Sequence, residues 1–118
     1  MAKMDIYTKT RLKESHWIPE TSVPLRRWTV PEALREAAEM VPDRLALVEG
    51  IADPNRRTWT YAQLLADVEK TASALLDRFK PGERVAIWVD NVAEFAIIEH
   101  ACYMAGIIMV TVNPAYKQ

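Results

Sequence analysis

Two histidines, one cysteine and sixteen acidic residues are the groups in this 118-residue sequence that could move a proton, attack a carbonyl or ligate a metal. Their spacing argues against each use. His16 and His100 lie far apart, and the sequence has no C-x-x-C or H-x-x-x-H run of the kind that clusters zinc ligands. His100 and Cys102 are two positions apart on what reads as one helix, so they point to different faces and form no dyad. Cys102 reads as a small core hydrophobe, and His100 as a satisfied residue at a polar edge. Glu94 and Glu99 are five apart on the same helix and do not face each other as an acid and base pair would.

Phosphate chemistry fares no better. A backbone cradle for phosphate needs several glycines after a strand, so that amides can approach the oxygens. The chain has only Gly50, Gly82 and Gly106, and the turn "VDNVAEF" has none. Asp90 in that turn would repel an anion. The aromatics Trp59, Tyr61, Trp88 and Phe95 fall on expected core positions, and a net charge of −1 supplies no basic patch to interleave with them, so no nucleic-acid partner is expected. By this reading the chain alone catalyses nothing and binds no cofactor.

The elements that would position these groups are clearer. Thr29-x-x-Glu32, Thr60-x-x-Gln63 and Asn91-x-x-Glu94 each read as a capping box opening a helix. The first helix places Ala33, Leu34, Ala37, Ala38 and Val41 on one face and closes at Pro42. The second repeats apolar residues from Tyr61 to Phe79 and stops at Lys80-Pro81-Gly82. The third, from Val92, is apolar around most of its circumference and should be buried on more than one side. Strands are expected at residues 45–49 and 57–60, an antiparallel pair about the turn-rich "GIADPNR". Near-continuous apolar runs at 84–89 and 107–112 read as parallel strands covered on both faces. The unit 84–112 is then a βαβ crossover.

The run 92–112 is long enough to span a bilayer, yet it carries Glu94 and Glu99, and a central carboxylate costs at least about 2.5 kcal/mol in a spanning helix. Together with the break at Gly106 this makes it a buried helix followed by a strand, with no membrane span. A single cysteine and no apolar leader fit a reducing, cytoplasmic setting. Residues 1–28 show no sustained period and read as an extended or disordered arm, with Trp17 and Trp28 as its anchors and Arg26-Arg27 as solvated surface.

Taken in order, "RTWTYAQL", "KPGERVAIWVDNVAEF" and "AGIIMVTVNPAY" resemble three stretches near the start of the AMP-forming acyl-CoA synthetases, the adenylate-forming family that includes fatty-acid:CoA ligases. They are similar to its T-Y-x-E-L, G-D-R-V-A-I-x-x-x-N-x-x-E and A-G-x-x-x-V-x-x-N-P-x-Y patterns, with Gln63 in place of the usual acid. The resemblance covers residues 29–118. It implies an α/β fold, a partial N-terminal subdomain with a parallel βαβ core plus a short antiparallel hairpin. It also implies a longer parent enzyme that activates a fatty or other carboxylic acid with ATP and Mg2+ and transfers the acyl group to CoA. The family's phosphate loop and late lysine have no counterpart here, so the chain reads as an inactive N-terminal fragment whose partner is the missing remainder of the enzyme.

In that family the loop after the last strand lies near the CoA tunnel, which makes Asn113, Pro114 and Tyr116 the candidate cofactor-binding residues; the plainer reading is that Pro114 stops the strand, Asn113 turns the chain and Tyr116 packs. A competing reading is a non-catalytic binding or assembly module that acts through exposed apolar surface. With a helix and a strand each short of a cover, the isolated chain is expected to form a dimer or larger species.

Overall fold

A computed structural model describes residues 24–50 and 54–116, with the single positions 14, 16 and 22. The arm expected at 1–28, with Trp17, therefore lies mostly outside the described residues. At its described end, Arg26 stands 4.1 Å from the centre of the Trp28 ring and 3.0 Å from the Glu36 carboxylate, all at the surface.

Helix α1 (Val30–Met40) starts as its sequence indicates. The Thr29 hydroxyl accepts from the Glu32 amide, and the Glu32 carboxylate accepts from the Thr29 amide at 2.7 Å. Strands β1 (Leu45–Val48) and β2 (Thr58–Thr60) pair antiparallel, with an irregularity between Leu45 and Leu47. Helix α2 (Tyr61–Leu76) opens on the second capping box, Thr60 with Gln63. It ends a turn earlier than its apolar period suggests. Phe79 still packs against the core, because the chain continues in turns whose amides return to Leu75.

Strand β3 (Arg84–Ile87), helix α3 (Ala93–Ala105) and strand β4 (Ile108–Thr111) complete the expected βαβ unit. β3 and β4 are parallel neighbours, with Arg84 opposite Ile108 and Ile87 opposite Thr111. Gly106 closes α3 in the left-handed region (φ 68°), and the amides of Gly106 and Ile107 both return to the Cys102 carbonyl.

The core lies where α2 meets α3. Leu64, Val68 and Ala72 pack with Ile97, Ala101, Cys102 and Ala105, joined by Leu34 from α1 and by Ile107. Small side chains at 72, 101 and 105 let the two helices come close. As its composition requires, α3 is covered on several sides, and only Glu94 and Tyr103 within it are exposed, each by about half.

Three expectations need correction. The strands are shorter than 84–89 and 107–112, and they are covered on one face only. Val85, Ile87 and Met109 face the helices, whereas Arg84, Ala86, Ile108 and Val110 face outward and are exposed, because no described element lies against that side. Trp88 is not a core residue; just beyond β3 it is 63% exposed. Finally, Asn91 does not cap α3. The helix starts one residue later, its N-cap is Val92, and no side chain caps it.

Candidate functional site

Two parallel strands that stop at the same edge leave a crevice between the segments that follow them. Here β3 runs on into Trp88–Asn91 and β4 into Val112–Tyr116, with one further ladder bond from the Val112 amide to the Ile87 carbonyl (2.9 Å). Between them opens a cleft of about 560 Å³, lined by Val89, Asp90 and Asn91 on one side, Thr111–Pro114 and Tyr116 on the other, and Phe95 from the first turn of α3.

The wall after β4 is a hydrogen-bonded turn. Asn113 Oδ1 accepts from the Ala115 amide (2.9 Å), and the Asn113 carbonyl accepts from the Tyr116 amide (3.1 Å). Pro114 presets the backbone at the second position of this turn. The structure therefore brings Asn113, Pro114 and Tyr116 together on one cleft, with Tyr116 standing outward and 70% exposed. The opposite wall is held by the Val92 amide, which donates to the Asp90 carbonyl (2.9 Å).

A second cleft of about 490 Å³ lies beside the first, between Leu47–Gly50 of the hairpin and Asn91–Ala96; Asn91 and Phe95 line both. What fixes the hairpin against α3 is Arg57. Its backbone amide and its Nε donate to the two oxygens of Glu49 (2.9 and 2.8 Å), while Nη1 and Nη2 donate to the Glu94 carboxylate (2.5 and 3.1 Å). Hydrogen bonding from Arg57 holds both Glu49 and Glu94 below the usual carboxylate range, and the two carboxylates hold the guanidinium proton above its own. Trp59 packs under the guanidinium and donates its indole N–H to Asp67 (2.8 Å).

The remaining candidate groups bond or pack within the fold. His100 bonds the Ala96 carbonyl through Nδ1 (2.9 Å). Cys102 has no solvent exposure, and burial pushes its thiol up. Tyr103 donates to Glu99 (2.9 Å), which raises its hydroxyl pKa. No three His, Cys, Asp or Glu side chains among the described residues group as metal ligands.

The Arg57 cluster was missed by sequence reasoning because the capping pattern had claimed Glu94. The hairpin alone could have paired Glu49 with Arg57, since they flank the same connection; nothing in the sequence points from Arg57 to Glu94, 37 positions on.

The lining of the first cleft sets what it can bind. Its only charged side chain is Asp90, and no cation or glycine lines it. A nucleoside triphosphate does not fit: its phosphates would face a carboxylate without amides or lysine to meet them. Apolar walls with the Asn91 amide and the Tyr116 hydroxyl suit a neutral, hydrogen-bonding segment instead.

Comparison with known proteins agrees on one theme. The family described as "AMP-binding enzyme" matches residues 34–118. The medium-chain acyl-CoA ligase ACSF2, mitochondrial, of Danio rerio is 41% identical over 98 residues, which is 82% of this chain and 16% of that ligase. Among solved structures, the N-terminal subdomain of Klebsiella oxytoca NpsA superposes with a TM-score of 0.65 at 31% identity, covering 75% of this chain and 22% of the other. The O-succinylbenzoate coenzyme A synthetase MenE of Bacillus subtilis, solved with ATP and magnesium ion, gives 0.63 at 29% identity, covering 71% and 22%.

Proposed function

Because the chain belongs to the AMP-binding enzyme family of acyl-CoA ligases, we propose that its working context is a ligase that activates a carboxylic acid with ATP and Mg2+ and then joins it to CoA. The chain spans about a sixth of the length of the ligase relative it matches. A carboxylate resists attack by a thiolate because both are negative. Adenylation removes that charge and supplies AMP as leaving group, and this step belongs to groups the described residues do not offer. The 118 residues therefore contribute a wall and a framework, with fatty or related acids as the substrate class.

The observation that carries this reading is the cleft at the ends of β3 and β4, formed by the stretches that resemble the family. In it, Asn113, Pro114 and Tyr116 contact CoA. Since Asp90 is the only charge, they meet its uncharged arm rather than its phosphates. The test is an assay of the protein read from its own gene, alongside the 118-residue chain. Thioester formation from fatty acid, ATP and CoA is expected of the former, and pyrophosphate release no higher than background of the latter. Activity in the short chain, or none in the gene product, overturns the proposal.

The outward face of β3–β4 favours a second reading, an assembly module without catalysis. Ile108, Val110 and Trp88 expose apolar surface that a parallel sheet ordinarily covers. In isolation this face makes the chain a dimer or larger. A stable partner protein co-purifying with an otherwise inactive gene product would favour that reading over the ligase. No helix among the described residues is long and apolar enough to cross a membrane. A cytoplasmic site, the setting a single reduced cysteine suits, is checked by fractionating cells against mitochondria.

A further inference from the structure

The three helices among the described residues do not begin alike. α1 and α2 open on complete capping boxes, whereas α3 opens on Val92, whose side chain accepts nothing. Without a side-chain cap, the first turn of α3 is closed by the backbone, the Phe95 amide donating to the Val92 carbonyl (3.1 Å), and lacks the side-chain acceptor that holds the other two helix starts. That turn carries Phe95 and adjoins Asn91, the two residues that line both clefts.

One side chain in the turn is tied elsewhere. Glu94 receives two bonds from Arg57, whose other donors are fixed on Glu49 of the hairpin. The fork geometry suits this use, since a guanidinium can engage two carboxylates in fixed directions at once. Two other charged groups line the same groove: Asp67, which accepts from the Trp59 indole, and Lys70.

We infer that Arg57 is a positioning residue that stands in for the missing cap of α3. By anchoring Glu94 to the hairpin it holds the first turn of the helix, and through it the Phe95 and Asn91 walls of the clefts. This holds whether or not the cleft takes CoA, because it concerns how the wall is held and not what binds. It also accounts for a residue cluster that the cleft chemistry leaves without a role. Removing Arg57 does more than delete a bond, since Glu49 and Glu94 then face each other as like charges and push hairpin and helix apart.

The test is amide hydrogen exchange on the 118-residue chain. It follows Ile97 and Ile98, whose helical acceptors are residues 93 and 94, with Val68 and Ala72 in the middle of α2 as internal references. In Arg57→Gln the exchange of Ile97 and Ile98 rises about fivefold, the size of a lost cap, while Val68 and Ala72 hold. Arg57→Lys, which keeps charge but loses the fork, falls between, and serves as the comparison if the Gln variant does not fold. The discriminating variant adds a true cap. Val92 already has the extended backbone of an N-cap (φ −116°, ψ 159°), so Val92→Ser in the Arg57→Gln background restores protection at Ile97 and Ile98 and returns the Phe95 ring resonances to their original positions. Unchanged exchange on loss of Arg57, or a loss that Val92→Ser leaves unrepaired, overturns the inference.

Discussion

The amide of Gly82 donates to the carbonyl of Gly106 at 2.7 Å, and these two residues are the ones in the described chain whose φ is positive, 89° and 68°. The bond joins the turn before β3 to the turn before β4, so both strands start from one fixed point. A side chain at Gly106 would meet Pro81 Cβ at 3.5 Å, an ordinary contact, so the left-handed conformation rather than lack of space is what favours glycine. Gly106→Ala is expected to destabilise by about 1–2 kcal/mol, the cost of the left-handed region for a residue with a Cβ, and Gly106→Asn by less. Urea midpoints at unchanged m-value measure both.

Val68 and Cys102 have no solvent exposure and face each other's helices in the core. Val68→Ala removes two buried methyl groups and leaves a cavity, for an expected loss of about 2 kcal/mol. A melt that shows less than half of this would mean that the α2–α3 contact relaxes to fill the space.

The Cys102 thiol combines complete burial with a pKa raised first by desolvation and then by Glu99. Thiolate is the reacting form, so a thiol-reactive disulfide reagent should leave the native chain untouched at pH 8 and label it fully in urea. Rapid native labelling would show that α3 opens on the timescale of the reaction.

Stability should fall in acid for a nameable reason. Glu32, Glu49 and Glu94 are all held below the usual carboxylate range, by Thr29 in the first case and Arg57 in the others. The unfolded chain thus binds more protons than the folded one at moderately acidic pH, and stability rises with pH there. The contribution is full above the ordinary glutamate value, about 4.3, and is lost as pH drops through the lowered folded values. Glu94→Gln should flatten the slope between about pH 5 and 3, and 1 M salt should weaken it for these exposed groups. A slope identical to that of the parent chain would contradict the assignment.

Association should follow the outward sheet face. Ile108→Lys and Val110→Lys each place a charge on exposed positions of β4, so light scattering should show a smaller species at high micromolar concentration while the melting temperature changes little. A parent chain that is already a monomer under those conditions removes the premise.

Sequence periodicity located every described element, because amphipathic helices and apolar strands print their burial directly into spacing. Capping chemistry fixed the starts at Thr29 and Thr60 to the residue. The same pattern misled at Asn91, where an acceptor three residues before a glutamate is satisfied on paper but the glutamate has a better partner across the fold. Trp88 and the strand faces were misjudged for a related reason. Apolar character says that a residue can be buried, while the presence of a cover is decided by elements elsewhere. Of the candidate cleft, the turn Asn113–Tyr116 was legible as a turn, because its hydrogen bonding is local. The Arg57 cluster was not, since its members meet only after the hairpin and α3 have packed.

The missing cap on α3 also bears on the order in which the chain assembles. α1 and α2 carry their own start signals within three residues and can form early from local contacts alone. The first turn of α3 waits for a residue 37 positions upstream, so closing that loop must come before the turn gains anything from it. Folding should then proceed from an α2–α3 nucleus around Val68 and Ala101, with the hairpin latching last. Kinetic analysis should give fractional values well above zero for Val68→Ala and near zero for Glu94→Gln, the mark of a contact that slows unfolding without hastening folding.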